Sequence, residues 1–293
     1  MKKMLCFALC LLLPLLSACG TVSLDGTTAQ TDLTTTPSGT QTTGTTKPEP
    51  KRPFLETPAV GPYEASDWRS HPQDYKLIAL TFDDAPAYSD TNANITTHII
   101  QVLNQYEGHG TLFVAGYAVE KHGFALLQYA VEHGFELGNH TYHHYNMVKK
   151  NMSQTEIEKE LTDLNILLQE KMQYELKYCR AGELAVNQTV FAATTAVGMP
   201  VIGEVISTRD YSSDYDADFV KRTVLENAFD GAIFLMHTWS GSTNQAIEGL
   251  VKALYEDGYR FVTLSELFAF NGIREIPTDK HIYGATDHGV LAK

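Results

Sequence analysis

Cysteine is scarce in this 293-residue sequence: of four, Cys6, Cys10 and Cys19 crowd the first nineteen positions, leaving only Cys179 further on. A body with one thiol has no internal disulfide, so a hydrophobic core must hold it together. The roughly 200 residues after position 70 suffice for one. Positive charge is also short, with 22 Lys and Arg against 35 Asp and Glu and a formal net charge of −13. That balance disfavours nucleic acid and anionic surfaces as partners, and a neutral glycan fits better. The apolar run Met4–Leu16, broken by Pro14, is too short to cross a bilayer. No internal repeat is present.

What is there begins with a leader. Met1-Lys2-Lys3 is a basic start, the apolar run follows, and a small-residue site closes it, as in an export signal. Leu16-Ser17-Ala18-Cys19 resembles the lipobox of bacterial lipoproteins, which implies lipidation of Cys19 and attachment to the outer face of the bacterial membrane. Loss of Lys2 and Lys3 with the leader would make the body two charges more acidic. Residues 20–74 read as a tether and lead-in, because Gly20 to about Lys51 holds Thr, Gly, Ser, Gln and Pro with almost nothing large and apolar to offset ordering. The folded body is expected over 75–270, and 271–293 as a tail without a recognisable motif.

Strand-like runs lie at Leu77–Phe82, Thr111–Ala115, Phe135–Gly138, Leu176–Arg180, Pro200–Ile206, Ala232–Met236 and Arg260–Leu264. Helical patterns alternate with them at Ile95–Tyr106, Ala125–His133, Ser153–Gln173, Asn187–Val197, Asp218–Phe229 and Asn244–Glu256. Ser153 with Glu156 three residues on reads as a capping box. Alternation with short joints implies an α/β fold with parallel strands, closed or nearly closed as a barrel; an open doubly wound sheet is the alternative.

Acids and imidazoles stand just past these strands. Asp83 and Asp84 follow the first, His140 the third, Arg180 ends the fourth, Asp210 follows the fifth and His237 the sixth. In a β/α barrel such positions converge at one mouth. A carboxylate and two imidazoles can hold a divalent metal, and a second Asp and third His remain for proton transfer, which points to metal-assisted hydrolysis. Singly each residue has a bland reading: a solvated turn for Asp-Asp, a shared helix face for His140 and His144, a core-edge residue for His237. His143 offers a competing three-residue interval.

Three segments resemble the polysaccharide deacetylases, the NodB-homology carbohydrate esterases. They are Thr81-Phe82-Asp83-Asp84-Ala85-Pro86, His140-Thr141-Tyr142-His143-His144, and Leu235-Met236-His237. The resemblance implies a distorted (β/α)7 TIM-like barrel of the NodB type. It also implies a divalent metal on Asp84, His140 and His144, with Asp83 as general base and His237 as the acid for the departing amine. Zinc is the default ion, and cobalt, iron or nickel suit the same ligands. Leu235 would wall the acetyl-methyl pocket. Arg180 would hold Asp83, and Asp210 would pair with His237, with Asp214 as its competitor.

Two departures stand out. Arg180-Ala181-Gly182-Glu183 matches the family's third motif only at Arg180, so an aromatic wall and a rigid proline are missing, although Glu183 still has a backbone donor to offer an oxyanion. Tyr211 replaces the usual Trp as a sugar-stacking surface. The implied activity is N-deacetylation of an extracytoplasmic glycan, with peptidoglycan favoured for a tethered enzyme. Its rivals are a wall-binding lipoprotein without turnover and a metal-dependent hydrolase of small esters or amides.

Overall fold

The computed structural model describes residues 67–86 and 89–293. The leader, Cys19 and most of the tether lie outside the described residues. Among the described residues no helix is long and apolar enough to cross a membrane.

Strand β1 (Lys76–Ala85) is the centre of the sheet, buried along nearly its whole length. It pairs in parallel with β2 (Thr111–Val114), β5 (Ala232–His237) and β6 (Tyr259–Phe261). Such a strand needs apolar residues on both faces, which Leu77–Leu80 and Phe82 supply. β3 (Glu136–Asn139) pairs with β2. Single bridges then run from Asn139 to Cys179 and from Cys179 to Val201 in β4 (Val201–Ile202). β4 pairs with β7 (His281–Thr286), and β7 meets β5 at Ala232 and Gly284, which closes the ring. β8 (Gly289–Ala292) forms a hairpin with β7. The result is the distorted barrel the sequence implies, with one stave from an unexpected place.

That stave is the correction. The segment expected as a tail supplies β7 and β8, and β7 stands between β4 and β5. The expected strand Leu176–Arg180 contributes only the bridges at Cys179, and Pro200–Ile206 shrinks to two residues. Two glycines allow β7 to cross β5. A Cβ on Gly231 (φ +94°) would lie 1.7 Å from the Ala285 carbonyl oxygen, and one on Gly284 would lie 2.9 Å from that of Gly231.

The lead-in also joins the body at its end. Trp68 is buried, Arg69 Nε bonds Glu266 Oε1 at 3.0 Å, and Arg69 donates to the Glu107 carbonyl at 2.8 Å.

Helices α1 (Asp90–Gln105), α4 (Gln154–Met172), α5 (Gln188–Val197), α6 (Ala217–Asn227), α7 (Gly241–Glu256) and α8 (Leu264–Phe270) each begin at a side-chain cap. The caps are Ser89, Ser153, Asn187, Asp216, Ser240 and Thr263, each satisfying an N–H that the first turn leaves unpaired. The Ser153–Glu156 capping box forms as expected. α2 (Gly116–His122) and α3 (Ala125–Glu132) complete the set.

Strand alternation sorts the core in two. Ile78, Leu80 and Phe82 of β1, with Ala232, Phe234 and Met236 of β5, belong to the larger cluster. Leu77, Ala79, Ile233, Phe113, Tyr178, Ile202 and Ile282 belong to the second. By the two-residue period, Thr81 and Asp83 continue the face of Leu77 and Ala79, and Leu235 and His237 continue that of Ile233. The chemistry therefore grows out of the second cluster.

Candidate active site

Register brings the first pair together, because Asp83 on β1 stands opposite His237 on β5. Asp83 is buried, and its Oδ1 accepts from Arg180 Nη1 at 2.7 Å. Arg180 is fully buried, stacks on Phe113 at 4.1 Å, and donates to the carbonyls of Ile202 (3.2 Å) and Gly203 (3.0 Å). A buried ion pair stabilises only when its remaining donors are satisfied. Here two carbonyls at the end of β4 do so, and they fix the Asp83 carboxylate in one orientation.

The next residue turns the other way. Asp84 has φ +68°, a left-handed conformation that costs a non-glycine residue about 1 kcal/mol or more. Its Oδ2 accepts from Trp239 Nε1 at 2.7 Å, while its Oδ1 is buried with no protein partner. His140 Nε2 lies 3.8 Å from that oxygen and His144 Nε2 lies 3.6 Å from it. His140 Nδ1 bonds the Arg180 carbonyl at 2.9 Å. A carbonyl can only accept, so Nδ1 carries a proton, and Nε2 points at the two carboxylates, 3.5 Å from Asp83 Oδ2 as well as 3.8 Å from Asp84 Oδ1. Burial raises the Asp84 pKa, but the two imidazoles and the Trp239 N–H outweigh it and leave the carboxyl below its ordinary value. His144 is lowered by burial and by His140, favouring the neutral ring that a metal requires.

The ligand-type atoms of Asp84, His140 and His144 all lie within 4.8 Å of one another. An orphaned buried carboxylate oxygen faced by two imidazole nitrogens fits a divalent cation. The four-residue interval is not helical here. Residues 140–146 form a loop in which Thr141 and His144 take positive φ, and the His144 N–H donates to Thr141 Oγ1 at 3.0 Å. His143 points elsewhere, its Nδ1 meeting Glu160 Oε1 at 2.7 Å.

His237 faces this group from β5. Its Nδ1 pairs with Asp210 Oδ1 at 2.8 Å, and its backbone N–H donates to Asp210 Oδ2 at 2.8 Å. The Thr243 hydroxyl also donates to the Asp210 carboxylate, at 2.6 Å, and the Thr208 hydroxyl lies 3.2 Å from it. Burial opposes a charged imidazole, but Asp210 overcomes it, and Asp83 and Asp84 add to the pull, so the His237 pKa is pushed up to about 9. The Asp210 carboxyl, raised by burial and lowered more by His237, stays below its ordinary value.

Asp83, Asp84, His140, His144 and His237 line one cavity of about 510 Å3 with Glu183, Leu184, Glu204, Ser207, Tyr211, Leu235 and Trp239. Leu235 is in the wall. Tyr211 is 57% exposed at the rim and meets the His237 ring edge-on at 6.1 Å. Glu183 has φ +55°, and its carboxylate accepts from Asn146 Nδ2 at 2.7 Å. The bond to His237 Nδ1 comes from Asp210 and not from Asp214, so Asp210 is the partner of His237.

The barrel and this cavity place the chain among known proteins. The model of the family described as polysaccharide deacetylase matches residues 70–202. A peptidoglycan-N-acetylglucosamine deacetylase of Bacillus cereus is 31% identical over 205 residues, covering 68% of this chain and 70% of that protein. The chain belongs to the polysaccharide deacetylase family. A bifunctional xylanase/deacetylase of Pseudobutyrivibrio xylanivorans is 32% identical over 203 residues, which cover 69% of this chain but only 32% of that protein. Among solved structures, a family 4 acetyl xylan esterase from Clostridium thermocellum, in complex with a cobalt ion, superposes with a TM-score of 0.64 at 30% identity. That match covers 71% of this chain and 98% of the esterase.

Sequence reasoning missed Trp239, Thr238 and Glu204, besides Leu184 and Ser207 of the wall and Thr243 behind it. Trp239, one of only two tryptophans in the chain, stands two residues past His237. Thr238 donates both its N–H and its hydroxyl to the Asp83 carbonyl, each at 3.1 Å. Glu204 interrupts the apolar run Val201-Ile202-Gly203-Glu204-Val205-Ile206, and that interruption was its signal.

Proposed function

We propose that this protein is a metal-dependent deacetylase of an N-acetylated extracytoplasmic glycan, with peptidoglycan N-acetylglucosamine as its substrate. One observation carries the reading: an orphaned Asp84 oxygen and two imidazoles lie beside a fixed Asp83 on one side and a proton-bearing His237 on the other. Asp84, His140 and His144 would hold the cation. A divalent ion there supplies Lewis-acid polarisation of the acyl oxygen.

The rest falls to the chain. Asp83, fixed by Arg180, takes the proton of the attacking water. His237, kept charged by Asp210, gives a proton to the departing sugar amine, which leaves far more readily protonated than as an anion. The Glu183 backbone N–H is the donor offered to the developing oxyanion, and Leu235 bounds the acyl methyl. Tyr211 and Trp239 supply aromatic surface in place of the wall that the altered third motif lacks. The leader and the Cys19 lipobox support a lipid-anchored position from which the tether reaches the wall.

Acetate release from N-acetylglucosamine oligosaccharides and from peptidoglycan tests the activity. Turnover should vanish with a chelator and return with zinc or cobalt. Glycan binding with no acetate under any metal would instead make the protein a binding lipoprotein, and preference for an acetyl ester would make it an esterase. Radiolabelled fatty acid should attach to wild type and not to Cys19→Ala; equal labelling would remove the anchor.

A further inference from the structure

Glu204 is the one acid of the cavity wall to which the chemistry above gives no task. The segment that carries it runs beside β5: the Val205 N–H donates to the Ile233 carbonyl at 3.0 Å, and Thr208 Oγ1 donates to that of Leu235 at 2.9 Å. Glu204 therefore enters the cavity next to the Leu235 and His237 face. Its Oε2 is buried and has no protein partner. The nearby guanidinium of Arg180 is committed elsewhere, to Asp83, Ile202 and Gly203. The neighbouring backbone is committed too, since the Gly203 N–H donates to the Ile282 carbonyl at 2.5 Å.

A carboxyl kept for the fold is normally paired. One left unpaired in a substrate cavity is costly until the substrate supplies the partner, and the site then rejects molecules that cannot. Burial pushes the Glu204 carboxyl up to about 7; Arg180 and His237 pull against that, and Asp83 and Asp210 reinforce it. Near neutrality it can both donate and accept. Ionised, it adds a further negative group to a cavity that already holds Asp83 and Asp84, so an incoming carboxylate would be disfavoured.

We propose that Glu204 determines specificity: it hydrogen-bonds a hydroxyl or amide of an uncharged N-acetylhexosamine and disfavours one bearing a carboxylate. The inference rests on the deacetylase reading and narrows its substrate to sugars without an acidic substituent.

The test compares an N-acetylglucosamine oligosaccharide with a matched oligosaccharide carrying a free lactyl carboxylate, as in N-acetylmuramic acid. Acetate release is measured at pH 6 and 8.5, with calorimetric binding alongside. Glu204→Ala should raise KM for the neutral glycan about five- to tenfold, the loss of one hydrogen bond, with kcat changing less. Glu204→Gln should raise it less, and at pH 8.5 should cut the neutral-over-acidic ratio of kcat/KM about tenfold.

The proposal is overturned if that ratio stays within twofold in both variants, or if the loss falls on kcat with KM unchanged. Metal content and thermal unfolding of the near-isosteric Gln variant separate misfolding from recognition. If wild type releases no acetate from either glycan, the deacetylase reading fails. Calorimetry then decides Glu204: tighter neutral binding that narrows in Glu204→Gln supports it, and equal binding of the two glycans sinks it.

Discussion

Asp210→Asn would keep the shape of the residue behind His237 and remove its charge. The carboxylate accepts from three donors: the His237 N–H, His237 Nδ1 and the Thr243 hydroxyl. An amide presents one oxygen and one NH2, so at least one of those donors loses its acceptor, at about 1–3 kcal/mol. The larger effect is on the imidazole. Its pKa of about 9 exists because Asp210 outweighs burial. Without that charge the ring should fall to its ordinary value of about 6.5 or lower, and the protonated fraction at pH 8 then drops about thirtyfold.

Acetate release followed against pH should show the alkaline limb of kcat/KM moving down from near 9, and an NMR titration of His237 should move with it. The same shift carries a stability signature. A pKa raised on folding adds stability that is full below the unfolded value of about 6.5 and is lost as pH rises through about 9. Wild type should therefore lose denaturant resistance across that window, and Asp210→Asn should not. An alkaline limb that stays in place in the variant would refute the pairing as the source of the proton.

Asp83→Asn should retain metal and lose turnover by about two to four orders of magnitude, whereas His144→Ala should lose both; metal analysis beside acetate release separates them, and an active Asp83→Asn removes the assigned base. Trp239→Phe, which deletes the bond to Asp84 Oδ2, should weaken metal binding about 10- to 100-fold in chelator competition. Unchanged affinity would mean that Asp84 needs no help from the indole. Gly231→Ala should destabilise by about 2 kcal/mol or more in chemical denaturation, because its Cβ would strike the Ala285 carbonyl and its φ is +94°. An unshifted midpoint would show that β7 can move away.

Much of the barrel was legible because its strands follow a simple rule. Leu77–Phe82 and Ala232–Met236 are apolar on both faces, and the acid or imidazole that ends each run sits at the rim. Helix starts were readable from local chemistry, as at Ser153 and Asn187. What escaped depends on distant partners. Arg180 donates to the Ile202 and Gly203 carbonyls, so the strand expected through Ile206 ends early, and β7 pairs beside it from some eighty residues downstream. The His281–Thr286 run is short and half polar, and only the sheet edges it meets explain its strand conformation. Trp239 and Thr238 earn their places through bonds to β1, across a sequence separation of 155 residues each, which no local pattern reports.

The sealing strand β7 has a practical consequence. A recombinant fragment cut at Phe270, where the folded body was expected to end, would keep every proton-handling and metal-type residue. It would still lack the piece that lies between β4 and β5, leaving two raw sheet borders open to neighbouring molecules. Such a fragment should precipitate or pair with itself, and its silence in an assay would say nothing about the chemistry. Expression boundaries for this protein belong beyond β8, with any purification handle placed upstream of Trp68.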